Sequence, residues 1–88
     1  MPLPEAEVDL HGLKVEEARL QLDRYLNDAF LSGLQFVRVI HGKGTGALRQ
    51  AVGDQLANHP LVKSFRPAEF DEGGGGVTIV EMVSRYLC

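Results

Sequence analysis

Two short apolar segments that each end in a His-Gly pair constrain the fold of this 88-residue chain more than any other feature. The segments are residues 8–10 and 36–40, and the pairs that close them are His11-Gly12 and His41-Gly42. Short apolar or β-branched runs that stop at a turn glycine are typical of strands. The sequence therefore predicts two strands with the same kind of ending.

The stretch between these two strands has the spacing of an amphipathic helix. From Lys14 to about Ser32 the apolar residues recur at intervals of three and four, and charged residues occupy much of the rest. A second apolar stripe follows the second His-Gly pair and stops before residues 58–60. It predicts a second helix whose cap is Thr45 or Gly46.

Two further strands are predicted in the last third of the chain. Residues 62–70 form the weaker one, and Pro67 inside it indicates a position near a sheet edge. Residues 76–83 form the strongest strand pattern in the chain. The glycine-rich residues 71–76 between them are predicted to be a mobile turn.

The order strand, helix, strand, helix, strand, strand predicts an α/β fold. Its first two strands should be parallel and joined by a right-handed helical crossover. The carboxyl ends of parallel strands lie at one edge of a sheet, where binding sites collect in open α/β folds. We therefore expect the two His-Gly pairs to meet at that edge.

Composition and charge limit what such a domain can do. The formal net charge is −3, which disfavours a protein that coats nucleic acid through overall positive charge, so a phosphate site must be a local patch. No apolar run approaches the roughly 20 residues of a membrane helix, and the only cysteine is Cys88. We expect a cytoplasmic protein with no membrane partner, in which residues 1–6 are the end of a linker and 7–88 are one domain.

Asp9, His11 and His41 are the predicted catalytic residues. Side chains alternate along a strand, so Asp9 and His11 should point to the same side, where the carboxylate can orient the imidazole. His41 should arrive from the neighbouring strand. Two imidazoles and a carboxylate can supply a general base, a general acid and an orienting group near neutral pH.

The loop after the second strand has the features of a phosphate site. Its glycines let backbone N–H groups turn toward an anion, and the N-terminus of the second helix adds partial positive charge. The order of a nucleotide-binding P-loop is absent, and an ordinary tight turn remains an alternative. The residues predicted to bind phosphate or nucleic acid are Lys14, Gly42, Lys43, Gly44, Thr45, Gly46 and Arg49.

Three stretches of the sequence resemble one known family. "VDLHGLKVEEA", "VRVIHGKGTGALRQAV" and "HPLVKSFRPAEFDEGGGGVTIVEM" are similar to the Smr (small MutS-related) domain over about residues 7 to 83. The glycine-rich loop and the "GVTIVEM" ending most resemble the copy at the C-terminus of the second bacterial MutS family. The family's Asp-Leu-His motif falls on Asp9, Leu10 and His11, with Val8 in place of the usual leucine, and its His-Gly-x-Gly motif begins at His41.

The resemblance implies a fold and an activity. The implied fold is a two-layer α/β sandwich, similar to the C-terminal domain of translation initiation factor three, with two helices on one face of a mixed four-stranded sheet. The implied activity is that of an endonuclease that nicks branched or double-stranded DNA, linked to DNA repair and suppression of recombination, and in some relatives cleaves RNA on ribosomes. The implied setting is a larger, ATPase-containing parent chain.

Two other readings of the same residues stay open. A non-catalytic module that docks a parent protein onto branched DNA or a ribosome would use the same loop and cations. Alternatively, Asp9, His11 and His41 could hold a divalent cation, Mg²⁺ or Mn²⁺, that activates water, although the carboxylate cluster of two-metal nucleases is absent from the sequence.

Overall fold

The computed structural model describes residues 6–44, 46–70 and 74–84 as a four-stranded sheet with two helices. The strands are β1 (Ala6–Asp9), β2 (Phe36–Ile40), β3 (Val62–Pro67) and β4 (Val77–Met82). The helices are α1 (Val15–Leu31) and α2 (Ala47–Ala57), and a 3-10 turn spans Gly74–Gly76. The predicted α/β class and element order are confirmed.

The sheet is mixed and has the strand order β1-β2-β4-β3. β1 and β2 are parallel, as expected for strands joined through a helix, and β4 runs antiparallel to both of its neighbours. Val37 in β2 pairs with Ala6 on one side and with Val80 on the other. β3 lies at an edge, in agreement with the prediction from Pro67.

One face of the sheet packs against the apolar stripes of both helices. Alternate residues of the two central strands point toward the helices and are almost completely buried, namely Val37, Val39, Val80 and Met82. The helices meet them with residues spaced three and four apart, which are Ala18, Leu22, Leu26 and Ala29 in α1 and Val52 and Leu56 in α2. Burial of each large apolar side chain contributes about 1.5–3 kcal/mol to folding.

Four chain segments meet at the border of the sheet where β1 and β2 end, which is the edge that we expected to carry the site. β1 and β2 end there because they are parallel, and β4 begins and β3 ends there because of their antiparallel pairing. Backbone hydrogen bonds continue past the strands, from Leu10 N–H to the carbonyl of Ile40 (2.7 Å) and from Ala68 N–H to the carbonyl of Val77 (3.0 Å). The loops that follow β1, β2 and β3 are thus placed side by side.

The glycine-rich segment forms a turn, as predicted. Gly74–Gly76 form a 3-10 turn, and Gly76 is buried. Residues 71–73 lie outside the described part of the chain. The sequence did not predict that Gly76 packs against the loop after β2.

The start of β1 and the N-cap of α2 can be compared with their predicted positions. Ala6, which we assigned to the linker, begins β1, and residues 1–5 lie outside the described part of the chain. Gly46 is the N-cap of α2, and the alternative cap Thr45 lies outside the described residues. Within the described ranges, no helix has the length and apolar character needed to cross a membrane.

Candidate functional site

Asp9, the last residue of β1, forms a hydrogen-bonded pair with His11 in the loop that follows. Oδ1 of Asp9 lies 2.5 Å from Nδ1 of His11 and 3.1 Å from its backbone nitrogen. A carboxylate only accepts hydrogen bonds, so Nδ1 carries the ring proton and Nε2 is left with a free lone pair. Nε2 has no hydrogen-bond partner among the described residues, and 66% of the side chain is exposed. The pair therefore presents a basic ring nitrogen to solvent.

The same two hydrogen bonds determine the charge of Asp9. The ring N–H of His11, and after it the backbone N–H, stabilise the carboxylate and lower the pKa of Asp9 below its ordinary value of 3.8. The side chain is therefore an anion at neutral pH. A carboxylate in contact with Nδ1 also stabilises the imidazolium that forms when Nε2 takes up a proton.

His41 has a different environment from the one expected. Only 4% of the residue is exposed, and both ring nitrogens have partners inside the protein. Nδ1–H donates to the carbonyl of Gly42 at 3.0 Å, and the hydroxyl of Thr78 lies 2.9 Å from Nε2, to which it donates in the neutral ring. The expected pair of available imidazoles thus reduces to one, and burial counts against proton transfer by His41.

Close packing brings the loop after β2 against His11. Gly42 has a φ of 78°, and a Cβ added there would lie 3.1 Å from Cβ of His11. On its other side, a Cβ added at Gly76 would lie 3.3 Å from the carbonyl carbon of Gly42. The three segments are therefore in direct contact, and side chains larger than hydrogen at Gly42 and Gly76 would push them apart.

The carbonyl of Gly76 ties this loop to the start of β4. It accepts hydrogen bonds from the backbone N–H of His41 and of Gly42, both at 3.0 Å. The amide of Gly42, which we expected to face an anion, is therefore occupied, and that detail of the prediction was wrong. The amides of Lys43, Gly44 and Gly46 donate to no residue that the structure describes.

A cleft of about 500 Å³ opens beside His11. Both helices begin at it, with Lys14 and Gly46 as N-caps that provide no side-chain cap, so the partial positive charge of both helix N-termini lies at the cleft. Among the described residues, three cationic side chains, Lys14, Lys43 and Arg49, line it, and no carboxylate does. A cleft with these properties is suited to an anion such as phosphate.

The cleft collects most of the residues that the sequence singled out. Of those that the structure describes, only Asp9 is absent from its lining, and Asp9 contacts it through His11. Thr45 lies outside the described residues. The residues of the predicted set that line the cleft are His11, Lys14, His41, Gly42, Lys43, Gly44, Gly46 and Arg49.

Sequence reasoning missed Gly76 and Thr78. Thr78 shares the helix-facing side of β4 with Val80 and Met82, and a polar residue at a buried strand position was a usable signal. Nothing in the sequence distinguishes Gly76 from the glycines before it.

The third histidine has a structural role at the far end of the helices. Nε2 of His59 lies 3.0 Å from Oδ1 of Asp23 in α1, and Nδ1 accepts from the backbone N–H of Leu61. His59 thus fastens the loop after α2 to α1.

Neither the surroundings of His59 nor the cleft, as far as the structure describes them, contains a cluster of metal ligands. Within residues 6–44, 46–70 and 74–84, no three His, Cys, Asp or Glu side chains are grouped so as to hold a metal ion. The alternative in which Asp9, His11 and His41 form a ligand set lacks support from their positions, since His41 uses both ring nitrogens elsewhere.

Comparison with known proteins identifies the family. The profile of the Smr domain matches residues 8–83, which include the Asp9–His11 pair, both helices and all of β4. The chain belongs to the Smr domain family.

Relatives of this Smr domain carry it within much longer proteins. The curated protein "Endonuclease MutS2" of Clostridium novyi is 56% identical over 75 residues, which are 85% of this chain and 10% of that protein. The chain thus spans about a tenth of the length of the curated relatives it matches. Within the Smr family, the chain is thus similar to the Smr domains of MutS2 proteins.

Solved Smr domains share the fold. The crystal structure of the Smr domain of Thermus thermophilus MutS2 has a TM-score of 0.85 and 51% identity, covering 88% of this chain and 96% of that one. YdaL, a stand-alone small MutS-related protein from Escherichia coli, also has a TM-score of 0.85 at 28% identity, covering 92% of this chain and 67% of that one. The two-layer arrangement that the sequence resemblance implied is confirmed.

Proposed function

We propose that this Smr domain is a structure-preferring endonuclease that cleaves phosphodiester bonds by acid–base chemistry. One observation carries the proposal. Nε2 of the His11 ring, which Asp9 orients, lies beside a cleft whose described lining has three cations, two helix N-termini and no carboxylate. A base and an anion site in contact are the two parts that hydrolysis of a phosphodiester requires.

His11 is the proposed general base. Nε2 takes a proton from the attacking water, or from the 2′-hydroxyl when the substrate is RNA, while the new bond to phosphorus forms and the bond to the leaving oxygen breaks. Asp9 holds the ring in the Nδ1–H tautomer and stabilises the imidazolium that results. Such proton transfer typically contributes 10²- to 10⁴-fold to a rate.

The phosphate is proposed to lie against the start of α2. Lys43 and Arg49 neutralise its oxygens and the charge on the leaving oxygen, together with the amides of Lys43, Gly44 and Gly46. Lys14, from the N-cap of α1, extends the contact along the strand. The leaving oxygen then takes its proton from solvent.

His41 is proposed to position the loop and not to transfer a proton. Its buried ring is hydrogen-bonded to Thr78 and to the carbonyl of Gly42, and Gly42 packs against His11. The sequence left open which histidine is the acid and which is the base, and in this proposal only His11 transfers a proton.

The proposed substrate and setting rest on the resemblance to the family. Branched or double-stranded DNA is the first proposed substrate and RNA, including RNA on a ribosome, is the second. The MutS2 relatives are about ten times longer than this chain, in keeping with a proposed ATPase-containing parent that acts in recombination. Cytoplasmic location stays a prediction.

A gel assay with three nucleic acids tests the proposal. Supercoiled plasmid, a four-way DNA junction and single-stranded RNA are incubated with the parent domain and with the Asp9→Ala and His11→Ala variants. We expect cleavage by the parent and loss of cleavage with retained binding in both variants. Variants that lose binding and cleavage together would favour the docking module, and full activity of His11→Ala would exclude the proposed base.

The same assay, repeated with EDTA or with Mn²⁺, tests whether cleavage requires a divalent cation. Undiminished cleavage in excess EDTA would show that Asp9, His11 and the cations suffice. Cleavage that requires Mn²⁺ would show that the phosphate brings a metal ion into the cleft.

A further inference from the structure

Phe70 is an aromatic residue that the fold leaves outside its core. It is 97% exposed, whereas Tyr25 and Phe30 pack against the core, Phe36 is half-buried and Phe65, within β3, is 39% exposed. Exposure of a whole aromatic ring forgoes the burial that stabilises the other rings. A fully exposed ring is therefore available to contact a bound partner.

The topology places Phe70 at the same sheet edge as the candidate site. Along that edge, the strand order presents His11 after β1, Gly42 after β2, Gly76 before β4 and the loop with Phe70 after β3. At about 4.8 Å between neighbouring strands, the two ends of this row are roughly 14 Å apart. That is within reach of the nucleotides next to a phosphate held at the cleft.

The backbone on both sides of Phe70 is tied to the site. Ala68 N–H donates to the carbonyl of Val77, and Gly74 N–H donates to the carbonyl of Glu69, both at 3.0 Å. Two residues after Gly74, Gly76 packs on Gly42. The start of the loop is thus anchored to the same elements that hold the anion-binding loop.

The cleft lacks the large aromatic rings on which bases commonly stack. Among the described residues its lining consists of glycines, cations, two histidines and aliphatic residues, with no Phe, Tyr or Trp ring. Proteins that hold single strands combine a cationic groove for the phosphates with aromatic side chains on which bases stack. The groove is present here, and Phe70 is the exposed ring on the same edge.

We propose that Phe70 stacks on an unpaired base of the strand whose phosphate occupies the cleft. The inference rests on the proposed function and deepens it, because it names the substrate class. The face of a base is covered inside a duplex, so this contact favours DNA or RNA with unpaired nucleotides beside the cleaved bond. A gap, a single-stranded flap or a single-stranded RNA offers such a base, and an intact duplex does not.

The sequence contains no tryptophan, which permits a direct test. The Phe70→Trp variant, made together with His11→Ala to prevent cleavage, carries a single tryptophan at the proposed contact. We expect its fluorescence to be quenched by a ten-nucleotide oligo(dT) or oligo(U). An abasic strand with the same number of phosphates should bind through the cleft without quenching.

Affinity supplies the second measurement, in the same His11→Ala background. Stacking of one base predicts that Phe70→Ala weakens oligo(dT) binding roughly 5- to 150-fold. Phe70→Tyr should retain the affinity, and Phe70→Leu, which is apolar but has no ring, should not. Leu20→Ala is the matched control, because Leu20 is an apolar residue of α1 that is also exposed, at 66%.

The outcomes separate this inference from the proposed function. Oligonucleotide binding that Lys43→Ala weakens but Phe70→Ala does not, with no tryptophan quenching, overturns the role of Phe70 and leaves the nuclease proposal standing. Burial of Phe70 by another part of a longer parent chain would also overturn the role of Phe70 and leave the nuclease proposal standing. Absence of binding to oligo(dT), oligo(U) and the four-way junction overturns both.

Discussion

Asp9 accepts two hydrogen bonds from His11, one from the ring Nδ1–H and one from the backbone N–H. The carboxylate therefore fixes both the tautomer of the ring and its place beside the cleft. The Asp9→Asn variant keeps the size of the side chain and removes its charge. We expect cleavage to fall by about 10²-fold or more, since the imidazolium loses its partner.

Single-turnover cleavage and equilibrium binding on the same Asp9→Asn sample check this expectation. Substrate affinity should stay close to that of the parent, because Asp9 does not line the cleft. A variant that cleaves at the parental rate would show that the pair is structural only.

The lowered pKa of Asp9 predicts a dependence of stability on pH. Because the folded-state pKa lies below the ordinary value of 3.8, the stabilisation is fully present above about pH 3.8 and is lost as the pH falls through the folded value. Urea unfolding of the parent and of Asp9→Asn at pH 7 and at several points below pH 4 measures this effect. The difference between the two proteins should shrink in acid, and a constant difference would contradict the assignment.

Removal of the Thr78 hydroxyl should destabilise the domain. The isosteric Thr78→Val variant leaves the buried Nε2 of His41 without a partner, which costs about 1–3 kcal/mol. Thr78→Ser retains the hydroxyl and should recover most of that loss. Urea unfolding of the three proteins decides the matter, and equal stability of the valine and parent forms would refute the hydrogen bond.

Gly76 and Gly75 offer a matched pair of alanine substitutions. A Cβ at Gly76 lies 3.3 Å and 3.4 Å from two backbone atoms of Gly42, whereas one at Gly75 meets nothing within 4 Å. We expect Gly76→Ala to cost about 1–3 kcal/mol and to slow cleavage, because it pushes Gly42 away from its place beside His11. Gly75→Ala should change neither property, and equal effects of the two variants would argue against the close contact.

The cations of the cleft should contribute to binding through phosphate contacts. Lys43→Ala and Arg49→Ala are each expected to weaken binding of duplex or junction DNA and to reduce the slope of log Kd against log salt concentration by about 1. Lys63→Ala is the control, since Lys63 lies on β3 and pairs with Glu81 at 3.6 Å, away from the cleft. Identical salt slopes for Lys43→Ala and Lys63→Ala would contradict the proposed phosphate site.

Much of the fold could be predicted because its local patterns agree with its packing. The spacing of apolar residues in α1 matches the residues that are buried, and the two His-Gly pairs mark the ends of parallel strands as expected. The meeting of Asp9, His11 and the glycine loop at one edge follows from strand alternation and parallel pairing. These inferences need no knowledge of contacts between distant segments.

The unpredicted parts of the site depend on long-range contacts. His41 is buried, and its Nε2 contacts Thr78, 37 residues later in the chain, which the sequence around neither residue reveals. Gly76 packs on Gly42, and its carbonyl accepts two hydrogen bonds from the other loop. Both contacts depend on the pairing of β4 with β2, whose register the sequence does not specify by itself.

The rate of strand cleavage by His11→Ala at saturating protein, measured in a single turnover, tests the central claim most directly. With His11 as the general base, that rate should fall by about 10²-fold or more while the Kd for the same substrate is unchanged, and added imidazole should restore part of it. A His11→Ala variant that cleaves bound substrate at the parental rate would contradict the claim.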